Sequence, residues 1–130
     1  MAEPALVSGV ALLLWSADPT QPERLATPFF HAAAAAAMEL QVEIYFSARS
    51  VLLLAPGVAA GLHAAPGSPK SIYDYLQESV AHGARLLACT DALKAHGLSH
   101  ADLIPECRAH GGAVQFMART ADPAWRSLVF

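Results

Sequence analysis

The chain has 130 residues, two cysteines and a formal net charge of −3, which is enough length for one domain that needs no disulfide or metal to fold. Its charges are scattered without a basic stripe, which argues against nucleic acid as a partner. Two cysteines are too few for a disulfide scaffold and suit a reducing compartment, so we expect a cytoplasmic protein. The apolar run 10–15 is too short to cross a bilayer, and Glu3 with no Lys or Arg near it makes a poor signal peptide. We therefore predict a single mature domain over residues 1–130, without a membrane span.

An apolar strand and a helix are predicted at the start of the chain. Residues 5–15 are nearly all apolar, which is typical of a strand buried on both faces of a parallel sheet. Thr20 and Glu23 have the spacing of a capping box, and Pro22 falls in the first turn, where its missing N–H is tolerated. The pattern predicts a helix from there to about Met38, and its run of alanines is a strong helix former.

The middle of the chain predicts a second strand, a short helix, a loop and an amphipathic helix. Apolar residues alternate with other residues over 40–46, which is the period of a strand. Residues 50–57 suit a short helix stopped by proline and glycine, and 61–71 indicates a loop rich in both. Apolar residues four apart predict a helix over 71–82, with Gly83 at its end.

The remaining predicted elements are short. They are a buried strand over 84–89, a helix closed by Gly97, a capping-box turn over 99–102 halted by Pro105, an edge strand over 106–110, a helix over 112–121 and a closing strand over 125–130. This alternation favours an α/β fold, in which a mostly parallel five-stranded sheet carries helices on both faces.

Cys89 ends one of these strands, directly before a helix. Ligands of open α/β sheets bind outside the carboxyl ends of the strands, so this thiol occupies a position where chemistry is usually done. The following helix directs backbone N–H groups back toward the sulfur, which favours the thiolate. Asp91 in the first turn opposes that effect unless its carboxylate caps the helix and points away.

The segment "GARLLACTDALKAHGL" resembles the active-cysteine segment of the DsrE/DsrF-like sulfur-relay family, above all in "LLAC" followed by a short helix and "HGL". The likeness covers most of the chain, including "EIYFSARSVLLL" before this segment and "DLIPECRAHGGAVQFMARTADPAWRSLVF" after it. Within the last stretch, "GGAVQFMARTA" resembles the single-gene, peroxiredoxin-like branch of the family.

The resemblance implies a sulfur carrier or sulfurtransferase of the DsrE/DsrF-like fold. By this likeness Cys89 is the catalytic residue, which holds sulfane sulfur as a persulfide and passes it to a partner thiol. The implied partners are a small sulfur-carrier protein or a rhodanese-like donor, in a homotrimer or homohexamer. No cofactor is implied, and the glycines match no dinucleotide or phosphate-loop fingerprint.

Four further residues are candidates for the site around Cys89. Asp91 lies beside the thiol, and Arg49 follows the second strand, where it could meet an anion or a persulfide. His63 in the loop and His96 at a helix end are candidates to reach the pocket, although a helix-end histidine more commonly meets the last carbonyls. Cys107 is a less favoured candidate, as a second, resolving thiol, and it stands in the predicted edge strand after Pro105.

Two other interpretations stay open. No Cys/His set has zinc spacing, so we expect no metal site. The alternative function is a non-catalytic oligomeric binding or scaffold protein, in which Cys89 is a structural core thiol, as buried free cysteines commonly are. For either function the alanine-rich face of 22–38 and the apolar stretch 51–58 are predicted subunit contacts, with loop 61–70 near a neighbouring Cys89.

Overall fold

The computed structural model describes residues 6–130, which form one five-stranded parallel sheet with helices on both faces. The strands are β1 (Gly9–Leu14), β2 (Gln41–Phe46), β3 (Arg85–Ala88), β4 (Cys107–His110) and β5 (Trp125–Val129). The α-helices are α1 (Ala26–Ala37), α2 (Ile72–Ala81), α3 (Thr90–Ala95) and α4 (Ala113–Ala121). The predicted fold class, the five strands and their parallel pairing are confirmed. The predicted start of the first strand at Ala5, like Glu3, lies outside the described residues.

The strand order is β4-β3-β2-β1-β5, so the first strand lies inside the sheet and the chain crosses over to add β5 beyond it. Gly9 pairs with Gln41 on one side and with Trp125 on the other. The inner strands are buried on both faces, which explains why 10–14 is a continuous apolar run. The edge position predicted for 106–110 is confirmed, because β4 has one neighbour.

The two faces of the sheet are covered very unequally. Side chains from α1, α2, α3 and the 3-10 helix Ala48–Leu54 pack with alternate strand residues into the large core. On the opposite face a small cluster surrounds Phe116 of α4; its buried members are Ala11, Tyr45, Leu87, Phe116 and Trp125. A helix is about 10 Å wide and five strands span about 20 Å, so α4 leaves part of this face uncovered.

The predicted helix from Thr20 to Met38 is wrong at its start. Asp18 Oδ1 accepts hydrogen bonds from the N–H and Oγ1 of Thr20, both at 3.0 Å, so Thr20 forms a turn and caps no helix. A separate 3-10 turn follows over Pro22–Arg24, and α1 begins only at Ala26. Pro28 explains the break, because its ring would clash with the carbonyl four residues earlier in a continuous helix.

Two smaller expectations are also corrected. Ser99 donates to Asp102 Oδ2 at 2.6 Å, so the predicted capping box is replaced by a side-chain pair before a 3-10 turn. The stretch 51–58 is not a free contact surface, because Val51, Leu53 and Leu54 are fully buried in the chain's own core. Part of the alanine-rich face of α1 is likewise buried within the chain, since Ala32 packs in the core against the sheet.

Candidate functional site

A pocket of about 310 Å³ opens at the carboxyl end of the sheet, beside the N-terminus of α4. Its apolar wall consists of Leu13, Tyr45, Phe46, Ala113, Phe116 and Met117. Ser47, Cys89, Gly111 and Gly112 complete the lining. Among residues 6–130 no charged side chain lines it, and the hydroxyl of Ser47 and the thiol of Cys89 are its available polar side-chain groups besides the tyrosine hydroxyl.

Cys89 stands between β3 and α3, and its backbone is held from both sides. Its N–H donates to Phe46 O at 3.0 Å, which continues the pairing of β3 with β2. Its carbonyl accepts from Leu93 N–H at 3.0 Å, so Cys89 is the N-cap residue of α3. Cys89 is partly exposed and lines the pocket, so a reagent in the pocket reaches this residue.

Two glycines precede α4 and line the pocket, and the first of them lets the chain lie close to the sheet. A Cβ on Gly111 would lie 2.7 Å from Leu87 Cδ2, 2.9 Å from Leu87 Cβ and 3.0 Å from Tyr45 Cε1. A Cβ on Gly112 would meet nothing within 4 Å. Only the first position therefore requires glycine for close approach. The ring of Phe116 then meets that of Tyr45 edge to face at 5.4 Å.

A second, more open groove of about 680 Å³ lies on the other side of Cys89. It shares Cys89 and the glycine pair with the apolar pocket, but it adds the polar side chains of Thr90, Asp91, His110 and Gln115. The structure thus brings Asp91 and Cys89 to the same groove, as the sequence suggested. Cys89 therefore lies where the apolar pocket meets a groove that carries polar side chains.

His110 is a residue of this groove that sequence reasoning missed. It ends β4, and its Nδ1 lies 3.4 Å from Thr90 Oγ1. Its ring packs against His100, with centroids 3.4 Å apart. Burial, followed by the neighbouring His110, lowers the pKa of His100, whose Nε2 is buried without a hydrogen-bond partner among the described residues. The signal available in the sequence was a histidine ending a strand, directly before two glycines.

A buried carboxylate lies on the face of the sheet that α4 covers. Glu43 accepts from Tyr45 Oη at 2.7 Å and from Arg119 Nε and Nη2 at 2.8 and 3.0 Å. Burial raises the pKa of Glu43, but the hydrogen bonds from Arg119 and Tyr45 outweigh it and hold that pKa below its usual value. Burial and the carboxylate raise the pKa of Tyr45. This cluster fixes the tyrosine ring that forms part of the pocket wall.

Three predicted site residues lie away from the pocket lining. Arg49 pairs with Asp18 at 2.7 Å, and this hydrogen bond is the main reason that the pKa of Asp18 falls to about 2. His63 Nδ1 lies 3.0 Å from Lys70 O, within the loop itself. His96 ends α3, at the opposite end from Cys89, where its N–H meets the last carbonyls.

Cys107 lies in the core, apart from Cys89. It is 6% exposed, and burial raises the pKa of its thiol. Cys107 pairs with Leu86 of β3, so Cys89 stands three residues, about 10 Å, further along the sheet. A disulfide requires Cα atoms within about 7 Å, so the two cysteines cannot pair without backbone movement.

The comparison with protein families agrees with this architecture. The family model described as the DsrE/DsrF-like family matches residues 10–130, which includes all five strands and Cys89. The chain belongs to the DsrE/DsrF-like family. This family is associated with sulfur relay in general. None of the curated proteins compared with the chain matches it.

Two solved structures share the fold of this DsrE/DsrF-like protein. The ychN protein from E. coli has a TM-score of 0.68 and 21% sequence identity, over 94% of this chain and 99% of that one. Protein of unknown function MTH1491 from Methanobacterium thermoautotrophicum has a TM-score of 0.65 and 16% identity, over 93% and 97%. At these identities the likeness establishes the fold.

Two kinds of feature are absent from residues 6–130. No helix there has both the length and the apolar composition that a bilayer span requires. In the same part of the chain, no three His, Cys, Asp or Glu side chains are grouped so that they could hold a metal ion.

Proposed function

We propose that this protein is a sulfur carrier that holds sulfane sulfur as a persulfide on Cys89 and passes it to a partner thiol. The supporting observation is the position of Cys89: a partly exposed thiol at the carboxyl end of β3, on the wall shared by a pocket and an open groove. Membership of a family associated with sulfur relay supports the same role. Cys107 offers a contrast, because it is buried and lines neither space.

The transfer requires two thiolate exchanges at one sulfur atom. In the first, the Cys89 thiolate attacks the outer sulfur of a donor persulfide, R–S–SH, and the donor S–S bond breaks. Its electron pair leaves on the donor thiolate, while the outer sulfur keeps its proton and becomes the end of a Cys89 persulfide. In the second, an acceptor thiolate attacks that sulfur and Cys89 leaves as the thiolate. Neither step requires a redox cofactor.

Mass spectrometry after incubation with inorganic polysulfide or an organic persulfide tests this proposal. The wild-type chain and the Cys107→Ser variant should each gain the mass of one sulfur atom, removable by a reducing thiol, whereas Cys89→Ser should gain none. The two variants are matched, because each replaces one thiol by a hydroxyl. A wild-type chain unmodified by every donor would contradict the proposal, as would an adduct that persists in Cys89→Ser.

We also propose that the protein is a homo-oligomer, a trimer or a hexamer. Exposed apolar side chains support it: Trp15 is 61%, Met117 57% and Val129 58% exposed. All three lie near the ends of β1 and β5. The N–H of Trp15 donates to Phe130 O at that end of the sheet. Val129 pairs with Leu13, and Leu13 lines the pocket together with Met117. Light scattering at micromolar concentration should give a multiple of the chain mass, which Trp15→Glu should reduce. A monodisperse wild-type monomer would refute this assembly.

A further inference from the structure

The pocket beside Cys89 is much larger than the sulfur atom that the proposed function moves. Its volume is about 310 Å³, whereas an apolar cavity of about 150 Å³ is enough to hold benzene. A single transferred sulfur, or a small hydrophilic donor, would leave most of this space unfilled. The space therefore suits a ligand with an organic group about the size of a substituted phenyl ring or a branched alkyl chain.

The chemistry of the wall restricts that group further. Leu13, Phe116 and Met117 contribute aliphatic, aromatic and thioether surface, and no charged side chain of residues 6–130 lines the pocket. The hydroxyl of Tyr45 already donates its proton to Glu43 at 2.7 Å, so it cannot donate to a ligand. A charged group would lose hydration here without gaining an oppositely charged side chain, which disfavours it. An uncharged apolar group gains by burial.

Cys89 on the same wall indicates what the ligand carries. We infer that the pocket binds a small organic thiol or persulfide whose sulfur is attached to an aromatic or branched-alkyl group, and that this compound is the sulfur donor to Cys89. This inference rests on the proposed function and specifies its donor. The apolar group occupies the pocket, its outer sulfur meets Cys89, and the organic thiol is released after the S–S bond breaks. The polar groove beyond Cys89 is left for the acceptor.

The reaction of Cys89 with two neutral reagents tests the inference. Benzyl methanethiosulfonate and 2-hydroxyethyl methanethiosulfonate both place R–S on a thiolate and release methanesulfinate, so the two differ in the R group. The background is the full chain with Cys107→Ala, which leaves one thiol, and each rate is divided by the rate of the same reagent with the urea-unfolded chain. We expect the normalised benzyl rate to exceed the hydroxyethyl rate by about tenfold, the preference expected for burying one apolar group.

Two variants with the same substitution provide the control. Met117→Trp adds bulk to the pocket wall, and because Met117 is 57% exposed the fold tolerates it. Met38→Trp adds the same bulk at the end of α1, where the side chain is 72% exposed and lines no part of the pocket. Met117→Trp should bring the benzyl preference close to unity, because it slows the benzyl reagent more than the hydroxyethyl reagent, and Met38→Trp should leave the preference unchanged. Light scattering of both variants checks that their assembly matches the wild type. Toluene, which has no thiol, should slow the benzyl reagent selectively.

Equal normalised rates for the two reagents in the wild-type background would overturn the inference, as would equal effects of Met117→Trp and Met38→Trp. A side chain from a second copy that already fills the pocket would produce the first of these outcomes. The proposed function fails separately. A benzyl preference without any persulfide on Cys89 supports the apolar pocket and contradicts the carrier role, whereas a persulfide without the preference contradicts the apolar donor alone.

Discussion

Replacing Arg119 by methionine should destabilise the protein in a way that depends on pH. The Glu43 side chain is 6% exposed, and Arg119 donates two hydrogen bonds to it, so Arg119→Met leaves a buried carboxylate with Tyr45 and a more distant Arg85 at 4.0 Å. Removing one partner of a buried ion pair costs about 3–5 kcal/mol. Because the Arg119 side chain is 32% exposed, water screens part of the attraction, and we expect about 2–3 kcal/mol at pH 7.

The pH dependence follows from the ionisation of Glu43. In the wild type its pKa is lowered by folding, so its contribution to stability is present above the unfolded-state pKa of about 4.3 and is lost as pH falls through the folded-state pKa. In Arg119→Met, burial without the guanidinium raises the pKa of Glu43, so the variant recovers stability as the carboxyl takes up a proton. The difference in unfolding free energy between the two proteins should therefore narrow between pH 7 and about pH 4.

Urea unfolding at both pH values measures this difference. The double variant Arg119→Met with Glu43→Gln removes the charge while Tyr45 can still donate to the amide oxygen, so it should regain most of the stability lost at pH 7. The double-variant cycle also separates the ion pair from the stacking of Arg119 on Trp125, where the guanidinium carbon lies 4.1 Å from the ring centroid. A loss below about 0.5 kcal/mol at pH 7, or no recovery in the double variant, would refute this reasoning.

Two further predictions concern the site. Gly111→Ala should lower the unfolding free energy by about 1–3 kcal/mol, because its Cβ would lie 2.7 Å from Leu87. Gly112→Ala has open space around it but replaces the N-cap glycine of α4, so it should cost less than about 1 kcal/mol in the same urea titration. In native protein at neutral pH, iodoacetamide should label Cys89 rapidly and leave Cys107 unmodified, as peptide mapping would show. Rapid labelling of Cys107 would contradict its burial, whereas resistance of Cys89 would favour a structural thiol at position 89.

The strands were predictable from sequence because each carries its own signal. The apolar run 10–14 and the alternation in 41–46 determine which residues face the core, and these patterns are local. The helix starts were predicted less well. Thr20 had the sequence of a cap, but Asp18 two residues earlier competes for its N–H, and Pro28 eight residues later prevents a continuous helix. Local patterns do not show which of two competing hydrogen bonds forms.

The site was predictable only in part, for a different reason. The position of Cys89 depends on where one strand ends, and the local apolar pattern of residues 84–89 predicts that end. The pocket requires Leu13 to meet Gly111 and Phe116, which lie about a hundred positions later in the chain. Arg119 likewise finds Glu43 across 76 positions. Such contacts depend on which face of the sheet each helix covers. The spacing of residues in the sequence does not show that.

The placement of β5 beside β1 has a consequence for how the chain is made. Gly9 pairs with Trp125 and Leu13 with Val129, so the first strand of this sheet to be synthesised borders the last. During synthesis β1 can pair with β2, but its other edge stays open until residues 125–129 emerge. Such distant pairing slows folding and exposes an apolar strand edge meanwhile. Nascent chains stalled before residue 125 should therefore remain sensitive to protease and bind chaperones that recognise extended apolar segments.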